Sequence, residues 1–166
     1  MMPALDAVTT PIIEYRAAER QPQVRRRQHG QIIVVQSSCQ IIVVQSSWEI
    51  EPIRAALKLQ SLPRGWDRAG SPPPGDAPVD RAIDVISSVA KLGFDDITAP
   101  HVFPVPGGGI QLEWLQGDRR LEVEVLPDGS TQFVTLKDGD PLKEGEYPLW
   151  PPTEAKSLFS WLVSGA

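Results

Sequence analysis

The chain has 166 residues, 41% of them hydrophobic and 22% charged, which suits one domain with tails and excludes a fibrous or wholly disordered class. Net charge is −5 and uneven: residues 1–30 hold five Arg and three acids, residues 31–166 eleven Lys and Arg against eighteen Asp and Glu. An acidic body argues against nucleic acid as its main ligand, and the single cysteine excludes an internal disulfide.

The N-terminus lacks an apolar core of signal-peptide length, and no run approaches the roughly 18 apolar residues of a membrane span. These features predict a soluble, cytoplasmic protein. Residues 1–30 are interrupted by Pro3, Pro11 and Pro22 and close on Arg25-Arg26-Arg27. They read as a flexible basic arm ahead of a single α+β domain over 31–166. The Arg run suits phosphate or an acidic protein surface, or is a solvated tail.

Gln31-Ile-Ile-Val-Val-Gln-Ser-Ser-Cys39 is followed at once by Gln40-Ile-Ile-Val-Val-Gln-Ser-Ser-Trp48, eight residues copied with a period of nine. Each copy holds four β-branched residues, Ile32 to Val35 and Ile41 to Val44, which favour a pleated strand. Such strands are paired, covered or used for binding. Three readings stand: a hairpin turning at Ser37 to Gln40, one structural copy beside one edge or partner-binding copy, or a duplication without function. Ile32, Val34, Ile41 and Val43 are the candidate contact positions.

Residues 48–60 predict a helix, capped by Ser46 or Ser47, with Pro52 in its first turn and Ile50, Ile53 and Leu57 on one face. Residues 61–78 read as a long loop with an extended Pro72-Pro73-Pro74 and Trp66 as a buried anchor. Residues 79–92 give the clearest helix, with Asp76 as cap, apolar steps from Val79 to Ala90 and Gly93 as the stop.

Residues 101–136 read as a meander of four strands. Val102–Val105 carries Pro104 and belongs at an edge. Ile110, Leu112 and Trp114 alternate, then Leu121, Val123 and Val125, and Thr131 to Leu136 follows the Pro127-Asp128-Gly129 turn. Residues 137–152 read as Pro/Gly-rich loop, and Thr153 to Val163 as a closing helix capped by Thr153, with Ala155, Leu158, Phe159 and Leu162 in its stripe. The expected fold is an antiparallel β-meander packed against a central and a C-terminal helix, with a β-branched N-terminal strand or hairpin.

Chemistry-bearing constellations are sparse. Cys39 and the two histidines, His29 and His101, lack any signature that would pair a thiol with a base. No Cys-x-x-Cys or His-x-x-x-His spacing occurs, and Asp95-Asp96 and Asp138/Asp140 fit caps or turns. Gly107-Gly108-Gly109 precedes a strand, whereas a phosphate loop needs a helix there. No catalytic residue, metal or cofactor is expected. Glu113, Glu122 and Glu124 fall on the outer face of neighbouring strands near Arg119 and Arg120, the feature best suited to a basic protein partner.

Two resemblances follow from these motifs. Leu62-Pro-Arg-Gly-Trp-Asp67, Ser71-Pro-Pro-Pro74, the helix, Gly108-Gly-Ile-Gln-Leu-Glu-Trp114, Leu121-Glu-Val-Glu-Val125 and Asp128-Gly129 make the chain similar to a set of small bacterial proteins. The resemblance covers about residues 60–135 and implies a coherent domain and no reaction. Those proteins carry Gly after the Trp-Asp pair, where this chain has Arg68. The order of helix, meander and Tyr147-Pro148-Leu-Trp-Pro151-Pro152 also resembles ubiquitin-conjugating enzymes. No cysteine follows that turn here, so this likeness implies a non-catalytic scaffold.

The expected function is a non-enzymatic interaction module, a subunit or an antitoxin-like or immunity-like factor of a bacterial complex. Its contacts would be the Ile/Val strands, Arg25 to Arg27, the Glu face and Trp66. The alternatives are self-assembly through the duplicated strands and a small hydrolase or transferase.

Overall fold

The computed structural model describes residues 33–37, 40–44, 48–94 and 96–165; the basic arm, Ile32, Cys39, the Ser46 and Ser47 caps and Asp95 lie outside them. Two copies of the repeat form β1 (Ile33–Ser37) and β2 (Gln40–Val44), which pair antiparallel from Ile33 opposite Val44 to Ser37 opposite Gln40. They make a two-stranded sheet of their own. Of the three readings of the repeat, the hairpin is the one the backbone adopts.

The described residues of the body form three helices and a five-stranded antiparallel sheet, an α+β fold with a β-meander packed against helices. Helix α1 (Ile50–Leu59) starts after Glu49, and α2 (Asp76–Ala90) starts after Gly75, neither with a side-chain cap. Asp76 is the first helical residue rather than the cap, and its carboxylate accepts a 2.8 Å hydrogen bond from Gln60 Nε2, tying the two helices together. Gly93, at φ 71°, stops α2 as its sequence position requires.

Strands β3 (His101–Val105), β4 (Gly109–Gln116), β5 (Arg119–Val125), β6 (Thr131–Lys137) and β7 (Asp140–Tyr147) pair in chain order. β7 corrects the sequence reading, which placed a loop there. It is an outer strand, paired with β6 alone among the described strands, so it needs no apolar run of its own. Its turn, Asp138-Gly139, has φ of 53° and 89°, the left-handed pair of a tight hairpin.

One face of the sheet is dry. Ile110, Leu112, Trp114, Leu121, Val123 and Val125 are all fully buried. They meet Val79, Ile83 and Ile86 of α2 and Leu158, Phe159 and Leu162 of α3 (Pro152–Ser164) in one core. The Trp114 and Phe159 rings meet edge to face at 5.0 Å, a favoured aromatic geometry. Pro152 opens α3, so Thr153 lies inside rather than capping. At its C-terminus Arg119 donates to the carbonyls of Trp161 (2.9 Å) and Val163 (3.0 Å), a cation on the negative end of the helix.

Candidate functional site

Because side chains alternate along a strand, a sheet whose one face lies under helices leaves every second residue on the other. In register across that outer face run Gln111, Glu124, Gln132 and Glu146, and beside them His101, Glu113, Glu122, Val134 and Glu144. The rows form a shallow trough of about 520 Å³, lined by Glu122, Glu124, Gln132, Val134, Glu144 and Glu146. Its floor mixes carboxylates with the half-buried Val134.

The electrostatics are one-sided. Arg120 is the cation of the face: its Nη1 lies 3.7 Å from Glu113 Oε1 and its Nε 3.0 Å from Glu122 Oε1. Among the described residues Glu124, Glu144 and Glu146 make no ion pair. Among the described residues five carboxylates thus share one guanidinium, on a surface that none of the described helices covers. Like charges two strands apart repel weakly through water; the arrangement costs stability rather than adding to it.

The structure brings Glu113, Glu122 and Glu124 onto one face, as the alternation requires, and adds Glu144 and Glu146 from β7. Those two were missed with the strand itself, although the Asp-Gly turn before them is a hairpin signal. Arg119 does not join the face; it points to α3.

Trp66 does not line the trough. It is half-buried, and its Nε1 donates to the Pro72 carbonyl at 3.2 Å, so it braces its own loop instead of anchoring it in the core. Next to it Asp67 accepts from the Ser71 hydroxyl (2.5 Å) and from the amides of Ala69 (3.0 Å) and Ser71 (3.1 Å). These bonds hold the Asp67 carboxyl below its usual range, the Ser71 hydroxyl contributing most. Ser71 Oγ in turn accepts from the Gly107 amide at 3.1 Å. The Leu-Pro-Arg-Gly-Trp-Asp loop and the glycine turn are therefore one structural unit. A Cβ on Gly109 would lie 2.8 Å from the Val125 carbonyl oxygen, so the third glycine serves close strand approach.

Of the other candidates, Arg25 to Arg27, His29, Ile32 and Cys39 lie outside the described residues, and for Val34, Ile41 and Val43 only the backbone pairing is described. His101 is exposed on β3 and stacks at 6.1 Å with Phe103. Asp138 sits in the β6–β7 turn, where its amide donates to the Asp118 carbonyl at 2.9 Å. Among the described residues no group of three His, Cys, Asp or Glu is placed to hold a metal ion. Nor, among them, is any helix long and apolar enough to cross a membrane.

No protein-family model, no curated protein and no solved structure matches the chain.

Proposed function

We propose that the protein is a non-enzymatic interaction module whose outer sheet face receives a basic segment of a protein partner, as a subunit or an antitoxin-like or immunity-like factor of a complex. The observation that carries this reading is the trough itself: Glu124, Glu144 and Glu146 lie together on a face that no described helix covers, and among the described residues they make no ion pair. Cations from outside the body would complete it. Surface electrostatics of this kind steer association and select partners more than they add affinity.

The test is affinity purification of the full chain from its native cells at low salt, beside E124Q/E144Q/E146Q. A basic protein that co-purifies with the first and is lost from the second supports the reading. An unaccompanied chain, or a partner retained by the variant, refutes it.

Self-association through β1 and β2 is the second reading. A lone two-stranded hairpin is marginal in water, and among the described residues this one pairs with no further strand. The two copies share their sequence, so the pairing within one chain is equally available between chains. Deleting residues 31–39 should then lower the sedimenting mass; an unaltered species excludes it.

A further inference from the structure

We propose that in the free protein the trough is occupied by the chain's own basic arm, with Arg25-Arg26-Arg27 set against Glu124, Glu144 and Glu146, so that a partner must displace it. This rests on the trough being a binding face for a basic segment, and adds its regulation.

Charge complementarity is the first argument. Five of the 16 Lys and Arg fall in residues 1–30, three of them consecutive, while the body carries the excess of acids. The cations of the sheet strands are committed elsewhere: Arg119 to the α3 carbonyls, Arg120 to Glu113 and Glu122, Lys137 to Asp118, Lys143 to Glu154. The arm holds the densest positive charge the chain can offer to three carboxylates that make no ion pair among the described residues.

Reach is the second. Ile33 lies opposite Val44, so the hairpin returns the chain to the point where it left. The path from Arg27 to Trp48 is therefore six residues, one strand spacing and four residues, at most about 40 Å. Trp48 packs on the core beside α1, which lies against β3. From there the trough over β5 to β7 is about three strand spacings and one layer away, on the order of 25 Å. The hairpin makes the arm a short tether despite the 17 residues of the repeat region between its ends (31–47).

Such a tether gives an effective concentration on the order of 1 mM. An arm contact with a Kd near 0.3 mM then weakens a competing basic peptide about fourfold. The experiment is an anisotropy titration of a labelled hexa-arginine peptide into the full chain and into R25Q/R26Q/R27Q, at low salt. K58Q/R64Q/K156Q, with three exposed cations of the body neutralised, has the same net charge and serves as the control.

The arm variant should bind the peptide at least about threefold tighter than the wild type, the control should not, and the gain should vanish in an E124Q/E144Q/E146Q background. Equal affinity for wild type and arm variant, or an equal gain in the control, overturns the arm proposal and leaves the trough reading standing. Peptide binding that ignores the trough carboxylates, or no saturable binding, overturns both.

Discussion

Gly145 stands directly opposite Phe133 in the β6–β7 pairing, and a Cβ built on it would lie 2.5 Å from Phe133 Cε1. The ring cannot simply move aside. It is 4% exposed, stacks on Tyr147 at 5.8 Å and carries Lys143 Nζ at 5.6 Å above it. A glycine facing an aromatic ring across two strands lets the ring cover the bare backbone, a recognised way of stabilising such a pair.

Gly145→Ala should therefore destabilise by about 1–3 kcal/mol, the usual cost of overpacking, and lower Tm by about 3–10 °C. Phe133→Leu combined with it should recover part of the loss, since the two residues touch and their effects do not add. A thermal melt of the single and double variants decides this. A Gly145→Ala chain as stable as the wild type would show that the ring is not held as described.

Arg68 has φ of 64°, in the left-handed region that glycine adopts without a Cβ penalty. A non-glycine side chain there costs about 1–2 kcal/mol. Arg68→Gly should raise stability by up to about 1 kcal/mol despite the greater freedom of the unfolded glycine. Arg68→Ala, which keeps a Cβ, should not. Urea midpoints of the two variants at constant m-value check the prediction.

Those two positions show what was legible in the sequence. Where a residue is buried on one side only, period and identity coincide: β4 and β5 alternate, and α2 steps by three and four, so both were readable from Leu, Ile and Val alone. β7 was not, because its inward places hold Gly145 and Lys143, chosen to fit Phe133 and Glu154 rather than to be apolar. Its hydrophobic members, Leu142 and Tyr147, give no period. The candidate site suffered accordingly: three of its glutamates were visible from alternation, while Glu144 and Glu146 depend on a strand that only tertiary pairing defines. Trp66 hides its role for a related reason: a backbone carbonyl within its own loop satisfies its N–H, and composition carries no sign of that.

Two carboxylates should give opposite pH signatures. Glu49 is 4% exposed, and burial raises its pKa, with Lys91 opposing. With the folded pKa above the unfolded one, the charged form is disfavoured on folding. Stability is then fullest where the group is protonated in both states, and is lost as pH rises from the usual carboxylate range through the folded value. Glu49→Gln should raise Tm at pH 7, with the gain vanishing in acid. Asp67 is the reverse: its depressed pKa, due first to the Ser71 hydroxyl, gives stability that is present above the usual range and lost as pH falls through the folded value. Asp67→Asn should lower Tm at pH 7, and the difference should shrink toward acid. Melts of both variants at pH 7 and at pH 3 test this; parallel curves would exclude the assignments.

The trough makes a last prediction, about stability rather than binding. Glu124 and Glu146 flank Gln132, and Glu122 and Glu144 flank Val134, so each row holds like charges two strands apart. Glu144 and Glu146 are exposed and Glu124 is half-buried, so the three contribute little packing, and among the described residues they make no ion pair. E124Q/E144Q/E146Q should therefore leave Tm unchanged or raise it, by no more than about 1 kcal/mol equivalent at low ionic strength. The gain should disappear in 1 M salt, where the screening length is about 3 Å. A face that weakens the fold when intact is the pattern expected where function opposes stability. If neutralising the three glutamates instead lowers Tm at every salt concentration, they hold the sheet together, and the physical case for an open receiving face fails.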